Sequence, residues 1–272
     1  MSIKMKPTAH PKEFTCTYID RDVQKMYQPL NLMQQLTLNP KYQIKAGFIK
    51  PNNVKSILLS FCGLISYVGV SIYRVWELAT DENMQRYTPI KFLNFATLID
   101  ASFNSTGYIM NFILPIIEVK QNITFILTFQ EIHRFIHKTD NCKIIVNNWI
   151  SVITYFSFYI FACIYIYVYY MPNWYVMYYV FILCTRDTNP IYAIGVIKLL
   201  TEKVFLWNSE LLMSSKAGHR EMRCDRMFRA YGHILSCYDV YKNIFQIPVS
   251  IIFGKLRNYN CVYIKSSFLF LN

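Results

Sequence analysis

From Ile144 to Tyr170 the chain reads IIVNNWISVITYFSFYIFACIYIYVYY, apolar or aromatic on nearly every face and rich in tyrosine toward its end. A helix of that length extends about 40 Å at about 1.5 Å per residue, more than the roughly 30 Å hydrocarbon core of a bilayer. In hydrocarbon a backbone must satisfy its own polar groups, which leaves helices and closed barrels. The run shows no strict alternation of apolar and polar residues, so a helix is the expectation. A helix hydrophobic all round has no water-facing side and belongs in a protein core or a membrane.

Three further runs decide between those two. Val54–Trp76 (VKSILLSFCGLISYVGVSIYRVW) is long enough to span. Pro89–Val119 crosses with tilt and carries Asp100, Asn104 and Pro115, whose polar side chains are expected to point toward protein. Tyr175–Leu200 follows the third run after the short turn MPNW, so these two form an antiparallel hairpin. With 54% of residues apolar and 16% charged over 272 residues, the chain falls outside the range of soluble domains. The expected fold is all-α, a polytopic membrane helix bundle with spans at about 54–76, 89–119, 144–170 and 175–200 and part of a fifth at 241–254. Residues 1–53 form a cytoplasmic N-terminal segment, 54–254 the bundle, 201–240 a cytoplasmic helical region within it, and 255–272 an atypical tail.

Charge sets the orientation. Residues 1–55 hold nine Lys and Arg against three acids, whereas the connection from Glu77 to Thr88 sets Arg86 against Glu77, Asp81 and Glu82. By the positive-inside rule the N-terminus is cytoplasmic, in a multi-pass protein of the plasma membrane. The 118–143 and 201–242 connections then also lie inside. Tyr165, Tyr167, Tyr169, Tyr170, Trp174, Tyr175, Tyr178 and Tyr179 gather at the outer ends of the last two spans, as amphipathic rings do at a headgroup boundary.

Other classes recede. The net charge of +12 is spread between hydrophobic blocks rather than in one stripe with stacking aromatics, which argues against nucleic acid. No GxSxG, phosphate-cradling glycine loop or paired acids in a soluble segment points to an enzyme, and no cofactor is implied. The eight cysteines are widely spaced, without CxxC, and are expected to be buried free thiols. His133 and His137 in EIHRFIHK stand at i, i+4 but lack an HExxH pattern, so a solvated cytoplasmic face is expected and no metal. Arg220, Arg223, Arg226 and Arg229 are interleaved with Glu221 and Asp225, which fits a helix near anionic headgroups better than a voltage sensor.

The candidate ligand-binding residues are Asp100, Asn104, Tyr155, Tyr159, Arg186 and Asp187. An isolated charge near the bilayer centre costs about 2.5–3.5 kcal/mol on insertion scales, so Arg186 and Asp187 are expected to face a polar pocket or a partner. Neighbouring residues on a helix diverge by about 100°, so each is expected to find its own partner, with Asp100 the acid for Arg186. A buried structural ion pair, or a kink at Pro190 that leaves the pair in water, is the competing account. Ser102, Asn104 and Ser105 offer hydrogen bonds to a ligand or to a neighbouring helix. Tyr155 and Tyr159, at i, i+4, offer rings and hydroxyls to a ligand, or packing.

The stretches YQPLNLMQQL, YQIKAGFIKPNN, LTEKVFLWNSELL and ILSCYDVYKNIFQIPV, in this order and spacing relative to the hydrophobic runs, resemble the matching parts of insect gustatory receptors. The resemblance covers roughly residues 20–250. It implies a seven-helix protein with a cytoplasmic N-terminus, a tetrameric (homo- or hetero-oligomeric) ligand-gated cation channel, and a pocket for a small-molecule tastant among the early helices, open to the outside. The family's last-helix signature, a Thr-Tyr pair followed by Gln-Phe, has no counterpart here, so no pore residue is carried over. The chain is expected to end within its fifth span. Two other expectations stand beside a taste receptor subunit: a truncated, non-conducting isoform or gene-model fragment, and a polytopic transporter with Asp100 and Arg186 on a substrate path.

Two glycosylation sequons test the orientation. Asn104-Ser-Thr falls within a span and Asn122-Ile-Thr on the cytoplasmic side, so neither is expected to carry sugar. Translated with microsomal membranes, the chain should keep its gel mobility on endoglycosidase treatment. A shift that Asn122→Gln abolishes would reverse the topology.

Overall fold

The computed structural model describes residues 17–80, 91–136, 141–170, 174–214, 225 and 227–246. Helix α1 spans Arg21–Leu36, followed by the short strands β1 (Gln43–Lys45) and β2 (Phe48–Lys50). Then come α2 (Val54–Thr80), α3 (Lys91–Ile117), α4 (Val119–Phe135), α5 (Asn141–Tyr170), α6 (Trp174–Ser214) and α7 (227–246). The described residues are all-α apart from this one hairpin, as expected.

The N-terminal segment folds into a module of its own kind. Val23, Met26, Tyr27, Leu30 and Met33 recur at helical spacing and are all buried, so one stripe of α1 enters the core. Leu38 terminates the helix at φ +59, with its N–H donating to Gln35 O and that of Asn39 to Gln34 O. This is a Schellman ending with leucine at the position that favours glycine. Ala46 and Gly47 both take positive φ, 54° and 78°, which is the type I′ turn that closes a two-residue hairpin. Asn53 then caps α2, its Oδ1 accepting from the Ser56 N–H at 2.8 Å.

α2 and α5 behave differently from α1. Only 17% of the apolar window of α2 and 11% of that of α5 are covered by protein, and Leu58, Leu59, Ile65, Ile153, Phe158 and Phe161 are exposed. Continuous apolar surface on that scale suits lipid rather than water. These two helices are long and apolar enough to cross a membrane. A third crossing exists if α3 and α4, which meet at Glu118 with a 65° bend, count as one broken span. α6, expected to be the fourth span, is not among them, because Thr185, Arg186, Asp187, Thr188 and Asn189 follow one another in its first half.

The expected fourth span and the polar stretch that extends it are a single helix of 41 residues, about 60 Å long, with Pro190 inside it. The 118–143 connection is mostly helix: α4 turns off α3 and buries Ile123, Phe125, Ile126, Phe129 and Ile132. The expected span at 241–254 falls partly outside the described residues; up to residue 246 it belongs to α7, which starts well before it. The tail at 255–272 lies outside them entirely.

The main core joins α1, α4, the second half of α6, the start of α5 and α7. A smaller cluster, Tyr67 with Tyr108 and Ile182, joins α2, α3 and α6 toward the other end, its tyrosine rings stacked at 4.4 Å. Arg134 pairs with Asp20 through two hydrogen bonds of 2.7 and 2.9 Å, which holds the Asp20 carboxyl below the usual aspartate range. The pair is half-exposed and contributes about 1 kcal/mol at most.

α1 and α6 pack closely at Gly195. A Cβ placed on Gly195 would stand 2.8 Å from Leu30 Cδ2 and 3.0 Å from Cδ1, and Leu30 is fully buried. Gly195→Val should therefore destabilise the chain by about 2 kcal/mol through overpacking. Thermal unfolding in detergent should fall by about 5 °C, and Leu30→Ala in the same chain should return part of that loss.

Candidate functional site: a polar cluster between α3, α5 and α6

Five of the six candidate residues meet, four of them through hydrogen bonds to one another. Arg186 donates from Nε to Asp187 Oδ1 at 2.8 Å and from Nη1 to Asn104 Oδ1 at 2.5 Å. Tyr159 donates its hydroxyl to Asp187 Oδ2 at 2.6 Å. One turn back on α5, Tyr155 donates to the Cys184 carbonyl, and its ring meets Tyr159 edge to face at 5.1 Å. Three helices are thus linked by charge-assisted hydrogen bonds about 18 Å along α6 from its start. The Asp100 side chain lies outside the described residues.

Arg186 and Asp187 pair with each other although they are adjacent, and each also has a partner of its own, Asn104 for Arg186 and Tyr159 for Asp187. The long arginine stem folds back so that Nε reaches the neighbouring carboxylate, leaving Nη1 free to reach across to α3. Among the described residues Arg186 reaches Asn104 on α3, and the expected pairing with Asp100 falls on a side chain outside them.

Local sequence explains why α6 carries this site. Pro190 has no N–H to donate to the Arg186 carbonyl, so the helix loses one ladder bond one turn before it. Thr185 and Thr188 turn their hydroxyls back onto the Ile182 and Thr185 carbonyls, and Thr188 also donates to Thr37 Oγ1 at 3.3 Å. The side chains of Arg186 and Asp187 are 27% and 39% exposed, so the ion pair is not sealed in the core. Asn104 itself is buried at 2%. Its neighbours Ser102 and Ser105 face a cavity of about 550 Å³ between α2 and α3, walled also by Ser71, Ile72, Val75 and Trp76.

No family model matches this chain, and comparison with curated proteins and with solved structures gives no match either. The chemistry of the cluster is therefore what bears on function. A guanidinium and a carboxylate side by side, with a phenol on one flank and an amide on the other, present both signs of charge and both hydrogen-bonding roles within one helical turn. Such a site suits a small polar or zwitterionic molecule better than a purely apolar one.

Other readings change with burial. His133 is buried rather than solvated, its Nδ1 2.8 Å from the ammonium of Lys203, which is also fully buried. Burial pushes Lys203 down to about 8, with Glu202 opposing. His137 lies outside the described residues. Cys184 and Cys237 are buried free thiols, but Cys62 and Cys142 are exposed on the lipid-type helices. Arg229 pairs with Asp225 at 2.8 Å on an exposed face. Both sequon asparagines, Asn104 and Asn122, are buried.

Some polar residues carried no signal in the sequence. Lys41 is buried under the rings of Tyr192 and Phe245, 4.7 and 4.3 Å from their centroids, and burial pushes it down to about 7 against the pull of Glu118. Asn189 donates to Asn111 Oδ1 at 2.8 Å, a second link between α6 and α3. The i, i+7 spacing of Asn104 and Asn111, which puts both on one face of α3, is the one pattern that points to this polar seam.

Arg186→Met should leave Asp187 with Tyr159 as its remaining partner among these residues and cost about 2.5–3.5 kcal/mol, the insertion cost of an unpaired charge. Adding Asp187→Leu should restore stability rather than lower it further. Unfolding midpoints in detergent for the two variants give the sign of that coupling.

Proposed function

We propose that this chain is a subunit of a chemosensory receptor of the insect gustatory kind. It sits multi-pass in the plasma membrane with its N-terminus cytoplasmic, and Asn104, Tyr159, Arg186 and Asp187 receive a small polar tastant. Four crossings by α2, α3, α5 and α6, with α7 leading into a fifth, belong to this reading, as does assembly with like subunits, a tetramer in the family it resembles, around a cation path. Its chief support is the cluster itself. An intramembrane charge pair that bridges three helices and keeps part of its surface open is what a ligand can enter and rearrange. The open cavity between α2 and α3 is lined by Ser102 and Ser105, neighbours of Asn104 in the chain.

The same hydrogen bonds favour a second reading. Arg186, Asp187, Asn104 and Tyr159 satisfy one another, as a structural tie closing a helix bundle would. Purified chain in lipid nanodiscs, heated with a panel of sugars, alkaloids and amino acids, separates the two. A receptor site predicts that at least one compound raises the unfolding midpoint, and a ligand at a hundred times its Kd contributes about 2.7 kcal/mol. Tyr159→Phe should weaken that stabilisation at least tenfold in concentration. A panel without effect, or an effect unchanged by Tyr159→Phe, favours the structural tie.

A further inference from the structure

A second polar site lies away from the cluster, where the loop after α1 meets α2 and α3. Asn39, Pro40 and Asn52 from the N-terminal segment, Ser60 from α2 and Asn111 from α3 line a partly open cavity of about 10 Å³. Ile57, Phe112, Pro115 and Ile116 form the rest of its wall. Asn39 and Asn111 are more than nine-tenths buried. Yet Asn39 Nδ2, Asn111 Nδ2 and Asn52 Oδ1 are fully covered and have no hydrogen-bond partner among the described residues. Leaving a buried polar atom unsatisfied is costly, and these three belong to residues that line one cavity, with Asn189 Oδ1 beside Asn111 a fourth such atom, which points to a shared ligand.

We propose that this cavity is a binding site for a single structural water, which joins the N-terminal module to the membrane helices. The volume is that of about one water probe, and a buried water makes about three hydrogen bonds. The water accepts from Asn39 Nδ2 and Asn111 Nδ2 and donates to Asn52 Oδ1. Its second proton has Pro40 O and Ser60 Oγ as acceptors on the wall. Two donors and an acceptor are a mixed set that water can serve and that a metal cation, which needs oxygen ligands only, does not fit.

The position gives the water a mechanical role. Asn52 also donates from Nδ2 to Pro40 O at 2.5 Å, which clamps the loop on either side of the β1–β2 hairpin. Asn111 lies two turns before the bend at Glu118, on the seam that continues to Asn189. Movement of α3 would reach the N-terminal module through this water. The inference does not depend on the receptor reading, since it rests on a different group of atoms.

The decisive test is a structure of the full chain in nanodiscs at a resolution that shows ordered water. A density peak within about 3.2 Å of Asn39 Nδ2, Asn52 Oδ1 and Asn111 Nδ2 is expected. An empty cavity, or direct amide-to-amide bonds that close it, would overturn the proposal. A thermal cycle with Asn39→Leu and Asn111→Leu supplies a second readout. Each single change should lower the midpoint by on the order of 3–6 °C, and the double should fall by clearly less than their sum, because the first change already costs the water its place. Additive losses would mean that the two amides share nothing.

Discussion

The lipid-type faces of α2 and α5 set the condition on which the rest of the structure depends. With less than a fifth of their apolar windows covered by the chain itself, these helices need a surrounding medium as apolar as their side chains. That requirement fixes the meaning of everything polar between them. In water, Arg186 and Asp187 would be an ordinary surface pair worth little. In hydrocarbon each demands a partner, and the structure supplies Asn104 and Tyr159 from the two neighbouring helices.

The packing is divided accordingly. At one end, α1, α4, α7 and the far half of α6 build an inward-facing core like that of a soluble domain, with Tyr27, Phe129 and Val196 fully covered. At the other end, among the described residues, α2, α3 and α6 share a smaller aromatic cluster around Tyr67 and Tyr108, and Arg186–Asn104 and Asn189–Asn111 tie α6 to α3. α6 runs through both, so its polar stretch, from Thr185 to Asn189, lies where the larger core meets the smaller cluster. A helix that carries Pro190 and packs at Gly195 against Leu30 is held by the larger core on that side.

The helices were legible because their apolar runs are long and their breaks conventional. Val54–Trp76 falls within α2, and Ile144–Tyr170 within α5. The convergence of Asn104, Tyr159, Arg186 and Asp187 was legible in part, since polar residues set into apolar runs must meet something. Which atom meets which was not, because the fold-back of Arg186 onto its neighbour depends on side-chain reach and not on helical angle. The burial of His133 and Lys203 escaped notice for a related reason. A polar stretch reads as solvated until a second helix covers it, and α4 turns into the core only because of the bend at Glu118.

By itself the sequence determined the all-α character, the apolar stretches too long for a soluble domain and the positions of the polar residues set into them. These follow from local periodicity and from the composition of contiguous segments, which any chain carries in one dimension. Tertiary structure alone decided that the N-terminal segment is a folded module seated on α5 and α6, that α4 bends inward, and that Asn39, Asn52 and Asn111 share one small cavity. Those outcomes depend on contacts between residues far apart in the chain, and no local pattern encodes the distance between two side chains that only packing brings together.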